Sequence, residues 1–76
     1  MNKIEYPFVI YPATEGGYVA EIPALKGCLA QGETLAETLE ELETVSSLWV
    51  ETAKQKGTKL PQIAVEIERV KDLLAA

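Results

Sequence analysis

The first stretch of the chain alternates between apolar and polar positions. Across residues 3–11 the apolar side of this pattern consists of Ile4, Tyr6, Phe8 and Ile10. A period of two is typical of a half-buried strand. Pro7 lies inside the pattern and cannot donate a ladder hydrogen bond, so we expect it at a break in the ladder or at an open edge.

Two further strands are predicted by the pattern that follows. Residues 12–17 end in a Gly-Gly pair, which favours a hairpin turn. Residues 18–22 then form the returning strand, which Pro23 ends. A second turn at residues 26–27 leads to a short strand at residues 28–31. Three consecutive strands joined by short turns predict an antiparallel meander.

Residues 35–56 have the spacing of an amphipathic helix. Its apolar stripe consists of Leu35, Leu39, Leu42, Val45 and Trp49, widened by Leu48 and Ala53. Thr34 is a favourable N-cap, and Glu37 three residues later completes a capping box. Gly57 is the expected C-terminal stop. We expect the stripe to pack across Tyr6, Phe8 and Ile10.

The tail fits two patterns. Ile63, Val65 and Ile67 alternate as in a strand, whereas Ile63, Ile67, Val70 and Leu74 also form a helical stripe. We expect a fourth strand at residues 62–68 and a short helical end at residues 69–75. The predicted fold is therefore a single α+β domain over residues 1–76, in the order β-β-β-α-β.

The length of the chain limits its core. A domain of 76 residues buries only about 60% of the surface that its unfolded chain exposes. Small domains gain stability from disulfides, metals or oligomerisation. Cys28 is the single cysteine and there is no histidine, so we expect neither a disulfide nor a metal site, and no cofactor. Oligomerisation remains, and we expect a homo-oligomer, either a dimer or a tetramer.

The chain is acidic, with 12 acidic and seven basic residues and a net charge of −5. This charge opposes direct binding to nucleic acid phosphates. A negative net charge suits binding to a basic protein partner, but solubility alone would also explain it. The sequence has neither a leader pattern nor an apolar run of about 20 residues, so we expect a cytoplasmic protein that is not inserted in a membrane.

Candidates for catalysis are few. Cys28 and the Ser46-Ser47 pair have no histidine to act as a base, and Cys28 is expected to pack in the core. Strand carboxylates such as Glu21 and Glu66 could hold magnesium only together with substrate phosphates, which this chain lacks the basic residues to bind. We therefore expect no enzymatic activity and no catalytic residue.

Several motifs resemble those of the HicB-like antitoxins. They are the residues 8–12, the Gly16-Gly17-Tyr18 turn, the run Ala20-Glu21-Ile22-Pro23-Ala24-Leu25-Lys26-Gly27-Cys28, the run Gln31-Gly32-Glu33-Thr34-Leu35, the pair Leu48-Trp49, and residues 57–61. The resemblance covers about three quarters of the chain. One departure is Ala36-Glu37 at the helix start, where the family usually has Glu-Ala. Many members also carry a C-terminal DNA-binding domain, and the residues after Pro61 are too few for one.

The resemblance implies a partial ribonuclease-H-like fold and a function. Such antitoxins bind a small basic HicA-like toxin that cleaves mRNA, and they cover its active site. We expect the partner to contact the second strand, the following turn and the acidic side of the helix. The candidate residues are Tyr18, Glu21, Pro23, Leu25, Cys28, Glu37, Glu41 and Glu43.

Two other hypotheses remain open. The first is an orphan oligomeric module that binds another protein or a small ligand and has no toxin. The second is a residual magnesium-dependent nuclease, whose activity would be lost on changing Glu21 or Glu66. A short basic protein encoded next to this chain would favour the antitoxin, and its absence would favour the orphan module.

Overall fold

The computed structural model describes residues 4–75, which contain three strands and two helices. The strands β1 (Val9–Pro12), β2 (Tyr18–Glu21) and β3 (Leu29–Gly32) form an antiparallel sheet with β2 in the centre. The helices are α1 (Leu35–Lys56) and α2 (Ile63–Ala75). The predicted α+β class and the three-stranded meander are confirmed.

The turn between β1 and β2 requires glycine at one position. Ala13 N donates a hydrogen bond to Gly17 O at 2.9 Å, and Gly17 has a positive φ of 76°. A Cβ atom on Gly17 would lie 2.6 Å from the carbonyl oxygen of Gly32 in β3. Both the backbone conformation and the close approach of β3 therefore favour glycine here.

The limits of α1 agree with the prediction. Glu37 N donates to Thr34 Oγ1 at 3.1 Å, which confirms Thr34 as the N-cap. The Glu37 carboxylate accepts from Glu33 N at 3.2 Å, so it reaches one residue beyond the cap. At the other end, Gly57 has the left-handed conformation, with a φ of 71°.

The buried side of α1 differs from the predicted stripe. Leu35 and Leu48 are 49% and 60% exposed, so the prediction is wrong for these two residues. The buried residues of α1 are Thr38, Leu42, Ser46 and Ala53. The small residues in this row allow the helix to approach the sheet closely, because a Cβ on Gly32 would lie 2.7 Å from Thr38 Oγ1.

The core lies between α1 and one face of the sheet. Ile10 pairs with Ala20, and Ala20 pairs with Ala30, which places these three residues on the face that α1 covers. The buried cluster consists of Ala20, Ile22, Leu25, Cys28, Ala30 and Leu42. Trp49 and Val50 of α1 pack against this cluster, so the sheet is covered on one face only within the described chain.

The first strand is shorter than predicted. It begins at Val9, and residue 3 of the predicted strand lies outside the described residues. Ile4, Tyr6 and Phe8 still pack against the core, as their alternation predicts. Pro7 precedes the strand and so interrupts no ladder, which agrees with its missing N–H donor.

The predicted fourth strand at residues 62–68 is wrong, because α2 occupies this segment. A strand needs a partner to satisfy its backbone, whereas a helix satisfies its own. Local contacts also favour the helix, since Arg69 pairs with Glu66 at 3.1 Å and Lys71 with Glu68 at 3.8 Å. The predicted helical end at residues 69–75 lies within α2 and is confirmed.

Helix α2 stands apart from the remainder of the described fold. Its backbone lies more than 8 Å from the backbones of α1 and of the three strands, measured between Cα atoms. Its starting point is fixed by the Tyr6 hydroxyl, which donates to the carbonyl of Pro61 at 2.5 Å. Tyr6 thus joins the segment before β1 to the connector before α2, while most residues of the helix are exposed.

Candidate interaction surfaces

Two of the predicted partner-binding residues lie in the core. Leu25 is fully buried and Cys28 is 2% exposed, so neither side chain can contact a partner at the surface. Burial also raises the pKa of the Cys28 thiol, which keeps it in the less reactive protonated form. Leu25 and Cys28 therefore support the fold and do not belong to a binding surface.

The loop between β2 and β3 explains why these side chains point inward. Leu25 N donates to Ile22 O at 3.0 Å, and Cys28 N donates to Leu25 O at 2.9 Å. On the outside, the Trp49 indole N–H donates to the carbonyl of Lys26 at 3.0 Å and fastens the loop to α1. Pro23 is exposed at the start of this loop. The loop is thus anchored to α1, and little of its apolar surface is exposed.

Tyr18 and Glu21 point to opposite faces of the sheet. Tyr18 shares the parity of Ala20 in β2, so it lies on the α1 side, near Gly32 and Glu37. Glu21 lies on the other face, where it accepts a hydrogen bond from the Tyr11 hydroxyl. This bond raises the pKa of Tyr11, with smaller contributions from burial and from the charge of Glu21.

The outer side of α1 is strongly acidic. Residues 33–51 contain six glutamates and no lysine or arginine. Glu37 and Glu41 are exposed and lie one turn apart on the side away from the sheet. Glu43 is half-buried and lies on the opposite flank of the helix. The structure therefore brings Glu37 and Glu41 together, and separates them from Glu43, Glu21 and Pro23.

A second surface is the uncovered face of the sheet, which we call the open sheet face. It consists of Val9, Tyr11, Val19, Glu21, Leu29 and Gln31. Val9, Tyr11 and Leu29 are 49%, 42% and 45% exposed, which is high for large apolar side chains in a sheet. Sequence reasoning missed this surface because Val9 shares its side of the strand with polar residues. The alternation of Val19 and Glu21 with Ala20 was the available signal.

A shallow groove separates residues 4–6 from the second half of α1. Its volume is about 300 Å³, and its lining includes Ile4, Tyr6, Ser47 and Lys54. Burial raises the pKa of Tyr6, and the charges of Glu5 and Glu66 raise it further. The neighbouring Ser46 hydroxyl donates to the carbonyl of Glu43 at 3.1 Å, within its own helix. Between residues 4 and 75, no group of three or more His, Cys, Asp or Glu residues is placed to hold a metal ion.

The comparison with known families gives one match. Residues 1–61, which include all three strands and α1, match the UPF0150-like family. The chain belongs to the UPF0150-like family. The matched region ends where α2 begins, so the family pattern covers the sheet, the anchored loop and the acidic helix.

Similar proteins come from a cyanobacterium and an archaeon. The UPF0150 protein ssl0259 of Synechocystis sp. is 63% identical over 73 residues, which is 96% of this chain and all of that protein. The UPF0150 protein ssr1258 of the same organism is 36% identical over 76% of this chain and 84% of its own length. The UPF0150 protein Ta0767 of Thermoplasma acidophilum is 32% identical over 78% of this chain and 86% of its own length.

Neither helix of the described residues is both long enough and apolar enough to span a membrane.

Proposed function

We propose that this UPF0150-like chain is a HicB-like antitoxin, which binds a small basic mRNA-cleaving toxin of the HicA type and covers its active site. The observation that carries the proposal is the acidic outer side of α1. Residues 33–51 contain six glutamates and no lysine or arginine, and two of them, Glu37 and Glu41, are exposed one turn apart on the side away from the sheet. Such a surface attracts and orients a basic partner.

The family motifs support the proposal through the structure they build. The run from Ala20 to Cys28 forms the end of β2 and the anchored loop, and the run from Gln31 to Leu35 joins β3 to the capped start of α1. These motifs hold α1 rigidly against the sheet, so the acidic residues are presented on a pre-organised surface. A pre-organised surface loses little conformational entropy when it binds a partner.

The β-β-β-α order also agrees with the partial ribonuclease-H-like fold of the HicB-like antitoxins. In this chain the segment after α1 is a helix, where that fold would have a further strand. We propose that the fold is used as a binding scaffold and has no catalytic role, since function depends on the site and not on the fold. The antitoxin role is consistent with the few nucleophile candidates, of which Cys28 is buried and Ser46 is bonded within its helix.

The experiment needs a small basic HicA-like protein, to be sought among the genes that neighbour this chain, and it measures whether this chain inhibits the RNA cleavage by that protein. Purified chain added to that toxin should stop cleavage at a near-equimolar ratio. The variant Glu37→Lys/Glu41→Lys should inhibit at least about tenfold less well, which corresponds to a loss of about 1.4 kcal/mol in binding. Inhibition should also weaken as salt is raised, because salt screens charges at exposed surfaces.

A matched control is Glu68→Lys/Asp72→Lys, which changes the net charge by the same amount on the exposed side of α2. This control should inhibit like the natural chain. Equal loss in both variants would mean that net charge alone matters, and would contradict a binding surface on α1. Absence of inhibition by the natural chain would favour the orphan module. Magnesium-dependent cleavage by this chain alone, lost in Glu21→Gln or Glu66→Gln, would instead favour the nuclease.

A further inference from the structure

The groove between residues 4–6 and α1 has an apolar interior. Its lining includes Ile4 and Tyr6 on one wall, Val50 of α1 on the other, and the buried Ile22 and Leu25 of the core. Its volume of about 300 Å³ equals that of about ten water molecules at about 30 Å³ each. A space of this size holds one long side chain, whereas a helix, which is about 10 Å wide, is too large for it.

Two carboxylates line this groove from opposite walls. Glu5 lies on the segment before β1 and Glu51 lies on α1, and both residues are exposed. Neither forms a salt bridge with another described residue. Lys54 lines the groove as well, so these two acidic residues and one basic residue give the lining a net charge of −1. The groove therefore favours a guest with an apolar stem and a cationic end.

Glu51 connects the groove with the acidic side of α1. It comes 14 residues after Glu37, which is about 21 Å along the helix and, at 100° per residue, about 40° around its axis. Glu51 thus lies on the same outer side of α1 as Glu37 and Glu41. A basic partner that binds along this side reaches the groove with its far end.

We propose that the groove binds an arginine side chain of the basic partner. The identity of that partner rests on the proposed function, whereas the site rests on the groove itself. The aliphatic stem of arginine packs on the apolar walls, as the stems of long basic side chains do on other apolar surfaces. The guanidinium group has five N–H donors in a planar fork, so it can pair with Glu5 and Glu51 together.

Tyr6 and Ser47 favour arginine over lysine as the guest. The Tyr6 ring is half-buried in the wall of the groove, and a guanidinium group stacks on an aromatic face. Burial raises the pKa of Tyr6, and the charges of Glu5 and Glu66 raise it further, which indicates a negative potential around the ring. The exposed Ser47 hydroxyl makes no hydrogen bond with another described residue, so it is available to accept one from the guest.

The test is the binding of N-acetyl-L-arginine amide to the natural chain, followed by NMR of the backbone amides. The side chain is the only charged group of this probe. The amide signals of residues 4–6 and 47–54 should shift with a dissociation constant in the millimolar range, which is usual for so small a ligand. N-acetyl-L-citrulline amide, which has a neutral urea in place of the guanidinium group, should bind about tenfold less well. N-acetyl-L-lysine amide should also bind less well than the arginine probe.

Four variants examine the charges of the lining. Glu51→Gln should weaken binding of the arginine probe about threefold, and Glu5→Gln/Glu51→Gln about tenfold, because exposed pairs are modest. Lys54→Gln removes a like charge and should bind the probe more tightly. Glu15→Gln is the control for Glu51→Gln, because it makes the same change in charge at an exposed position in the turn between β1 and β2. It should bind the probe like the natural chain.

Several results would overturn the proposal. One is the absence of shifts at residues 4–6 and 47–54 with millimolar arginine probe. Others are equal binding of the citrulline or lysine probe, unchanged binding by Glu5→Gln/Glu51→Gln, and weaker binding by Lys54→Gln, which would indicate an anionic guest. Equal loss in Glu15→Gln and Glu51→Gln would mean that net charge alone attracts the probe.

Inhibition of the HicA-like protein separates this proposal from the antitoxin role. Glu5→Gln/Glu51→Gln should inhibit about tenfold less well than the natural chain, and Glu15→Gln should inhibit equally well. Full inhibition by the double variant would overturn the groove as a contact and leave the antitoxin role intact. Binding of the arginine probe in the groove without inhibition by the natural chain would support the site and contradict the antitoxin role.

Discussion

At the scale of single residues, small side chains decide how closely α1 approaches the sheet. Ala20 and Ala30 are buried directly beneath the helix, and Gly32 lies against its first turn. A larger residue at any of these positions would separate the two layers. The close packing fixes where α1 lies on the sheet, and so it also fixes where the acidic side chains of α1 are presented.

Gly32→Ala should destabilise the chain by about 1–3 kcal/mol, which is the usual cost of overpacking. The added Cβ would lie 2.7 Å from Thr38 Oγ1 and 2.8 Å from Thr38 N, and the backbone atom cannot rotate away. Urea unfolding measures the change. Gln31→Ala, at the exposed neighbouring position, should stay within about 0.5 kcal/mol. An equally stable Gly32→Ala chain would show that α1 does not approach β3 so closely.

Tyr11 should ionise at a higher pH than an ordinary tyrosine, because its neutral hydroxyl donates to the Glu21 carboxylate and its pKa is raised. The stabilisation from this pair is therefore present below about pH 10 and is lost as the pH rises through the raised pKa. The difference between the tyrosinate titrations of the natural chain and of Tyr11→Phe isolates this residue. In Glu21→Gln the same component should move to lower pH. A Tyr11 component at the ordinary pKa would contradict the bond.

Local signals predict some residues well and others poorly. The roles of Thr34 and Gly57 follow from a few neighbours, so the sequence alone was sufficient to identify them. Leu25 is buried in the loop between β2 and β3, and the Trp49–Lys26 hydrogen bond joins this loop to a residue more than 20 positions away. For this reason the family motif correctly marked the loop but did not distinguish its buried residues from its exposed ones.

At the scale of elements, α1 is the part of the fold that its own sequence specifies most completely. It has an N-cap, a glutamate in the first turn, lysines in the last turn and a glycine stop. These signals agree with one another, and the observed limits are the predicted ones. The buried side was predicted less well, because the approach to Gly32 favours Thr38 over the larger Leu35 at the sheet.

Thr34→Ala should cost about 1 kcal/mol of stability through the loss of the N-cap. Thr34→Ser keeps the hydroxyl that accepts from Glu37 N, and serine is at least as good an N-cap as threonine, so the stability should not fall. Thermal or urea unfolding of the three chains provides the comparison. Equal stability of the alanine and threonine chains would mean that the helix begins elsewhere.

The tail shows where periodicity fails to decide between two elements. Residues 63–67 satisfy both the strand and the helix pattern, and the choice depends on whether a neighbouring strand offers its edge. In the described residues β1 extends only from Val9 to Pro12, and the segment before it contains Pro7. Residues 62–68 therefore have no strand edge there with which to pair, and they form a helix instead.

At the scale of the whole molecule, the chain presents two different surfaces on opposite sides of its sheet. The acidic side of α1 faces outward on one side, and the open sheet face lies on the other. The sequence predicted an acidic binding protein that oligomerises, but it could not separate the two surfaces. Strand register decides which residues share a face, and register is a property of the assembled sheet.

The central claim is that this chain binds a small basic partner through the acidic side of α1. Native mass spectrometry of the chain purified from its own host at low ionic strength tests it most directly. We predict an assembly that contains a small basic protein, that loses this protein when salt is raised, and that does not form with Glu37→Lys/Glu41→Lys. Recovery of the natural chain without any basic protein, or equal recovery of that protein with the variant, would contradict the account.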